Sequence, residues 1–152
     1  MKRKINYLLT LFFVATLLFS CSKSEVASVP EDQQIEDYIK AKSLVVTEKT
    51  ATGLRYIRTT ASTGVAVKLG QSILVNYTGK FLTDAKFDGG NFSFILGTGS
   101  VIQGFNEGIA KMKVGEKATI IFPSSLGYGS SGSGSIPGNS PLIFDIEVVT
   151  AK

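Results

Sequence analysis

The chemistry open to this 152-residue chain is bounded first by what it lacks. It has no histidine, and its one cysteine, Cys21, stands in the N-terminal leader. Most nucleophilic and metal-dependent enzyme classes need such groups. Carboxylates, hydroxyls and apolar surface remain. They gather between residues 76 and 149, in NYTGKF, AKFDGG, NFSFILGTGSVIQGF, KVGEKATIIFP, LGYG and PLIFDIEVV. Tyr128 stands between glycines, where a bulky ring has little local structural purpose. By local pattern alone, Asp88 before Gly89-Gly90 is a turn former, and Tyr77, Phe92 and Phe105 are core residues. Any function must therefore come from a shaped apolar surface with few polar groups, or from carboxylates and hydroxyls.

The elements that must position these residues follow from periodicity. Ile35, Tyr38, Ile39 and Lys42 recur at helical spacing, and Glu31 and Asp32 favour a helix N-terminus there. Residues 54–58 and 72–81 alternate like strands, residues 92–96 form another, and residues 59–70 read as a loop or hairpin. Ile102, Phe105, Ile109 and Met112 predict a one-faced helix over 101–112, with Gly115 as its stop. Residues 117–122 and 142–149 are the last two strands. The class is α+β, with a curved antiparallel sheet around one short helix. Gly129 to Ser135 reads as a flexible linker by composition. Gly97, Gly99 and Gly104 do not make a dinucleotide loop, because the third glycine comes too late for GxGxxG.

The leader has its own signature. Lys2, Arg3 and Lys4 precede an uncharged apolar run from Leu8 to Phe19, which is the pattern of a secretory signal peptide. Cys21 follows Leu18-Phe19-Ser20 and resembles a bacterial lipobox, in which the thiol is acylated and the preceding residues are removed. Three of the 16 basic residues lie in this leader against none of the 12 acidic ones, so the rest of the chain is close to neutral. That balance lacks the basic footprint of a nucleic-acid binder. The expected organisation is a lipoprotein signal peptide at 1–20, a tether at 21–30, an N-terminal helix and linker at 31–50, and one domain at 51–152.

From about Thr52 onward the chain resembles the FKBP-type peptidyl-prolyl cis-trans isomerases. The resemblance rests on Val75-Asn76-Tyr77-Thr78-Gly79, Lys86-Phe87-Asp88, Phe94-Ile95-Leu96-Gly97, Val101-Ile102-Gln103-Gly104-Phe105, Met112-Lys113-Val114-Gly115, Leu126-Gly127-Tyr128-Gly129 and Ile136-Pro137, followed by residues 142–147. It implies an FKBP-like antiparallel half-barrel wrapped around one short helix. It further implies an apolar pocket lined by Tyr77, Phe87, Phe92, Val101, Ile102, Phe105, Tyr128, Ile136 and Phe144. Asp88 would face the twisting carbonyl, and the Ile102 N–H and Tyr128 hydroxyl would anchor the peptide, with Tyr77, Asp88 and Tyr128 as the catalytic set. No cofactor or metal is implied, and the partners are proline-containing polypeptides. The leader is similar to that of exported bacterial lipoprotein members.

Two departures from the family pattern stand out. Phe105 occupies the pocket floor where many members have tryptophan, which predicts reduced activity. The segment between Phe87 and Phe92 is shorter than in human-type domains. A non-catalytic peptide-binding or holdase module of the cell envelope remains the alternative. An acylated Cys21 implies a lipid membrane anchor, and Ser22 lacks the aspartate that retains some lipoproteins at the inner membrane. The expected location is therefore the cell envelope, at the outer membrane facing the periplasm.

Overall fold

The computed structural model describes residues 29–152. The expected signal peptide, Cys21 and most of the expected tether lie outside the described residues. The elements run α1 (Glu31–Ala41), β1 (Glu48–Lys49), β2 (Arg55–Thr60), β3 (Ser72–Phe81), β4 (Lys86–Ile95), α2 (Gln103–Ile109), β5 (Lys117–Phe122) and β6 (Leu142–Ala151). All strand pairs are antiparallel, in the order β1-β2-β5-β6-β3-β4.

Strand alternation sorts the side chains onto two faces. Tyr56, Ile73, Val75, Ile120, Phe122, Phe144 and Ile146 join Phe105 and Ile109 of α2 in the main core. α2 lies tight against β5 because Gly104 has no side chain: a Cβ there would meet three Phe122 ring atoms at 2.6 Å. The opposite face carries Ile57, Ile121 and Ile143, which pack against Ile35 and Ile39 of α1. The N-terminal helix is thus docked on the back of the sheet. This is why Arg55, Tyr56 and Ile57 are buried in succession where alternation predicts one wet face.

Several boundaries differ from the sequence reading. α2 starts at Gln103 and ends at Ile109, with Ile102 as an extended residue before it. A turn after the helix (Lys111 N–H to Gly108 O, Met112 N–H to Ile109 O) keeps Met112 inward. The apolar period therefore outruns the helix, and Gly115 (φ 80°) belongs to the later turn into β5. β4 extends through Asp88-Gly89-Gly90, since pairing of Tyr77 with Gly90 and of Thr78 with Gly89 overrides local turn propensity. The reverse turn sits earlier, where Asp84 has φ 65°. The Gly/Ser segment is knitted into turns by Gly132 N–H to Tyr128 O, Ser133 N–H to Ile136 O and Asn139 N–H to Gly129 O. It is not a bare linker.

Candidate active site

The concave face of the sheet and the segment entering α2 enclose a cavity of about 520 Å³. Tyr77, Asp88, Phe92, Val101, Ile102, Phe105, Tyr128 and Phe144 line it, together with Gly99 and Ser100. β3 supplies Tyr77, β4 supplies Asp88 and Phe92, β6 supplies Phe144, and the loop after β5 supplies Tyr128. Phe105 projects from the first turn of α2 and is only 5% exposed, so it serves as core residue and cavity floor at once.

Phe144 is the hub of the wall. Its ring centroid lies 5.2 Å from Phe105 and 5.7 Å from Phe87, both edge-on, and 5.7 Å from Phe122 in a stacked pair. Tyr77 stands edge-on to Phe105 at 5.7 Å. Pairs in these geometries contribute about 0.5–1.5 kcal/mol each beyond their buried area. The rings therefore support one another in these orientations and together form the apolar wall.

Polar groups enter this wall through an irregularity in β4. The register slips between Gly79 and Lys80, so that Gly79 faces Asp88 while Lys80 faces Lys86 and Phe87 is left over as a bulge. A bulge re-aims side chains. Phe87 and Asp88 consequently both reach the concave side, Phe87 against Phe144 and Asp88 against Tyr77. Gly79 makes the room, since a Cβ there would lie 2.7 Å from two Phe87 ring atoms. The Tyr77 hydroxyl donates to Asp88 Oδ2 at 2.8 Å, and the Gly89 N–H donates to Oδ1 at 2.8 Å. Burial, reinforced by the hydrogen bond to Asp88, pushes the Tyr77 phenol up to about 12. Tyr77 is thus a neutral donor at physiological pH. Among the described residues, neither the Ile102 N–H nor the Tyr128 hydroxyl has a hydrogen-bond partner, which leaves both available to a ligand.

The structure gathers eight of the ten sequence-predicted site residues around one cavity and leaves two outside its lining. Phe87, half-buried, packs between Phe81 and Phe144, and Ile136 is buried in the main core. Phe92 is 42% exposed and forms the rim, stacked on Phe94 at 5.9 Å. Gly99 and Ser100 escaped the sequence reading because neither type carries a signal beyond adjacency to Val101.

The family model described as FKBP-type peptidyl-prolyl cis-trans isomerase matches residues 64–149. The chain belongs to that family. FK506-binding protein 2 of Dictyostelium discoideum is 47% identical over 91 residues, which cover 56% of this chain and 68% of that protein. The FKBP-type peptidyl-prolyl cis-trans isomerase FkpA of Aeromonas hydrophila is 35% identical over 137 residues, covering 86% of this chain and 50% of that one. Among solved structures, FkpA from Escherichia coli superposes with a TM-score of 0.71 at 33% identity, over 81% of this chain and 59% of that chain. AtFKBP13 gives 0.64 at 31% identity, over 68% of this chain and 96% of its own. The FKBP match explains why so few reactive groups suffice. The chain spans only about half the length of FkpA.

Proposed function

We propose that this FKBP-type isomerase accelerates rotation about Xaa-Pro bonds in exported polypeptides while tethered to a membrane through an acylated Cys21. The observation that carries the catalytic part is the cavity itself, an aromatic cup with two phenols and one carboxylate at its edge. The peptide-bond barrier is about 18–20 kcal/mol, and the uncatalysed Xaa-Pro step takes roughly tens to hundreds of seconds. No bond breaks, so neither nucleophile nor metal is needed. The planar amide owes its stability to charge separation that water solvates, and the twisted amide has lost much of it. A dry ring-lined cup therefore favours the twisted state over the planar one. A rate gain of ~10⁴ to 10⁶ asks for roughly 5–8 kcal/mol of differential binding. Tyr128 and the Ile102 N–H would hold the flanking carbonyls while Asp88, fixed by Tyr77, faces the twisting one.

The purified protein should shorten the relaxation time of a short Xaa-Pro peptide in a protease-coupled or NMR exchange assay, with loss of rate in Asp88→Ala and Tyr128→Ala. Peptide binding with a rate equal to the uncatalysed one would replace the isomerase by a holdase. The leader supports the envelope part of the proposal through its basic start, apolar run and lipobox-like cysteine. Dual or triple acylation gives stable anchoring where one chain is marginal. In cells, Cys21→Ala should move the protein from the membrane to the soluble fraction. An unchanged membrane fraction would refute lipid anchoring, and separation of inner from outer membranes would test the outer-membrane placement.

A further inference from the structure

We infer that Glu31, at the start of α1, is a positioning residue for Tyr128, so that the N-terminal helix takes part in setting the active site. The inference rests on the isomerase reading and refines it. Glu31 uses both carboxylate oxygens on one distant residue. Its Oε2 accepts the Ser124 N–H at 2.5 Å, and its Oε1 accepts the Ser124 hydroxyl at 2.6 Å. Ser124 is only 6% exposed and opens the 3-10 turn Ser124–Leu126. Its own carbonyl then accepts the N–H groups of Gly127 and Gly129, each at 2.8 Å. Those are the two neighbours of Tyr128. One residue is thus gripped by Glu31 on its donor side and grips both flanks of Tyr128 on its acceptor side.

Glu31 stands on a helix that is fixed twice, so weakening one fixing leaves the other to present its carboxylate to Ser124. Ile35 and Ile39 pack on Ile57, Ile121 and Ile143. Asp32 and Glu36 bind the buried Arg55 at 2.5 and 2.6 Å. Glu31 and Ser124 lie 93 residues apart, so the contact ties the start of α1 to the segment that carries Tyr128. Its consequence is at the far end of the chain of bonds. Tyr128 sits in a glycine-flanked turn held on its C-terminal side by Gly132 N–H to Tyr128 O and Asn139 N–H to Gly129 O. Ser124 supplies the hold on its N-terminal side, so that its hydroxyl can meet a ligand at hydrogen-bond distance. A carboxylate accepting two hydrogen bonds is a strong anchor for such a turn, and linked hydrogen bonds reinforce one another.

The test compares Glu31→Ala, Glu31→Gln, Tyr128→Phe, the double variant Glu31→Ala/Tyr128→Phe, and Asp32→Asn, which weakens one carboxylate contact to Arg55 while the isoleucine packing and Glu36 still hold the helix in place. Glu31→Ala should lower kcat/KM about tenfold, short of the ~100-fold that a full 1 Å misplacement of a positioned group costs. Glu31→Gln keeps one acceptor oxygen and should fall between, and it carries the comparison if the alanine variant does not fold. In the Tyr128→Phe background the Glu31 effect should vanish, because two residues acting through one hydroxyl are not additive. Asp32→Asn should lower Tm and leave kcat/KM unchanged. NMR amide signals of Gly127, Tyr128 and Gly129 should move in the Glu31 variants and stay in Asp32→Asn. An equal fold-loss in the Tyr128→Phe background, or a matching loss in Asp32→Asn, would make Glu31 merely structural and overturn the inference. If wild type shows no rate above the uncatalysed one, the isomerase reading falls, and the three amide signals alone then decide whether the clasp exists.

Discussion

Replacing Tyr77 by phenylalanine separates the two things this residue does. Its ring is part of the cavity wall, edge-on to Phe105 at 5.7 Å and tilted to Phe144 at 6.3 Å. Its hydroxyl holds Asp88 at 2.8 Å. Phenylalanine keeps the ring and removes the hold. Asp88 is exposed, so water takes over the freed carboxylate oxygen and the stability loss at neutral pH should be only about 1 kcal/mol. The Gly89 N–H keeps Oδ1 in place at 2.8 Å, but the carboxylate becomes free to swing. We expect kcat/KM to fall roughly three- to tenfold, because the carboxylate proposed to face the twisting carbonyl loses its fixed orientation.

The same substitution makes a pH signature. The folded phenol titrates near 12 and an unfolded one near ~10. A raised folded value contributes stability that is fully present below about pH 10 and is lost as pH rises towards 12. Each unit corresponds to about 1.4 kcal/mol, which bounds the loss at ~2–3 kcal/mol, and solvent screening at this half-buried site cuts that to about half. The wild-type advantage over Tyr77→Phe, measured by urea unfolding at a series of pH values, should therefore shrink above pH 10 until the two curves meet. Other tyrosines titrate in both proteins and cancel in the difference. An advantage that stays constant or grows above pH 10 would refute the phenol–carboxylate pairing, and an unchanged kcat/KM would refute its role in orienting Asp88.

Gly104→Ala should destabilise despite alanine's better helix propensity. The helix gains about 1 kcal/mol, but crowding against Phe122 costs about 1–3 kcal/mol. Calorimetry should show Tm lower by roughly 4 °C, with reduced kcat/KM as α2 lifts Phe105, and a higher Tm would show that the helix has room to spare. Glu116 is 1% exposed and binds the Tyr56 hydroxyl, Arg58 Nε at 2.7 Å and the Lys113 N–H at 3.2 Å. Burial works to raise its pKa, but these donors together hold it below the usual carboxylate range. Its contribution is therefore complete at neutral pH and fades as pH falls below ~4.5. Glu116→Ala should cost about 2–4 kcal/mol and flatten the acid limb of the stability curve. Phe144→Leu removes a ring in contact with four others and should cost roughly 2–3 kcal/mol, read from the denaturant midpoint.

The parts of this protein that sequence revealed best are those where local pattern and tertiary need agree. β3 alternates because one of its faces is core, and β5 lies where its residue types place it. Phe105, Tyr77 and Phe144 were legible as pocket residues through the family motifs, and they meet around one cavity. What stayed hidden depends on pairings far apart in the chain. Asp88-Gly89-Gly90 looks like a turn until β3 lies beside it. Ile57, Ile121 and Ile143 carry no sign that α1 will cover them. Phe87 and Ile136 sit within motif segments, yet Phe87 spends its ring on Phe81 and Phe144 and Ile136 is drawn into the core, so neither lines the cavity.

The shortened segment after Asp88 acquires a physical meaning from this arrangement. With Gly89, Gly90 and Asn91 paired to Thr78, Tyr77 and Asn76, the chain between Asp88 and Phe92 is sheet, and a sheet wall does not close over a ligand as a free loop does. Cavity rigidity on that side comes from β3–β4 hydrogen bonding, and Phe92 remains at an open rim. On the other side the wall is the Tyr128 turn, which has no sheet to stiffen it and is held instead by Ser124 and Glu31. Bond rotation requires the polar groups to keep their places while the substrate turns between them. The two sides therefore meet the same demand by different means, the Asp88 side through strand pairing and the Tyr128 side through a hydrogen-bonded clasp to a helix on the far face of the sheet.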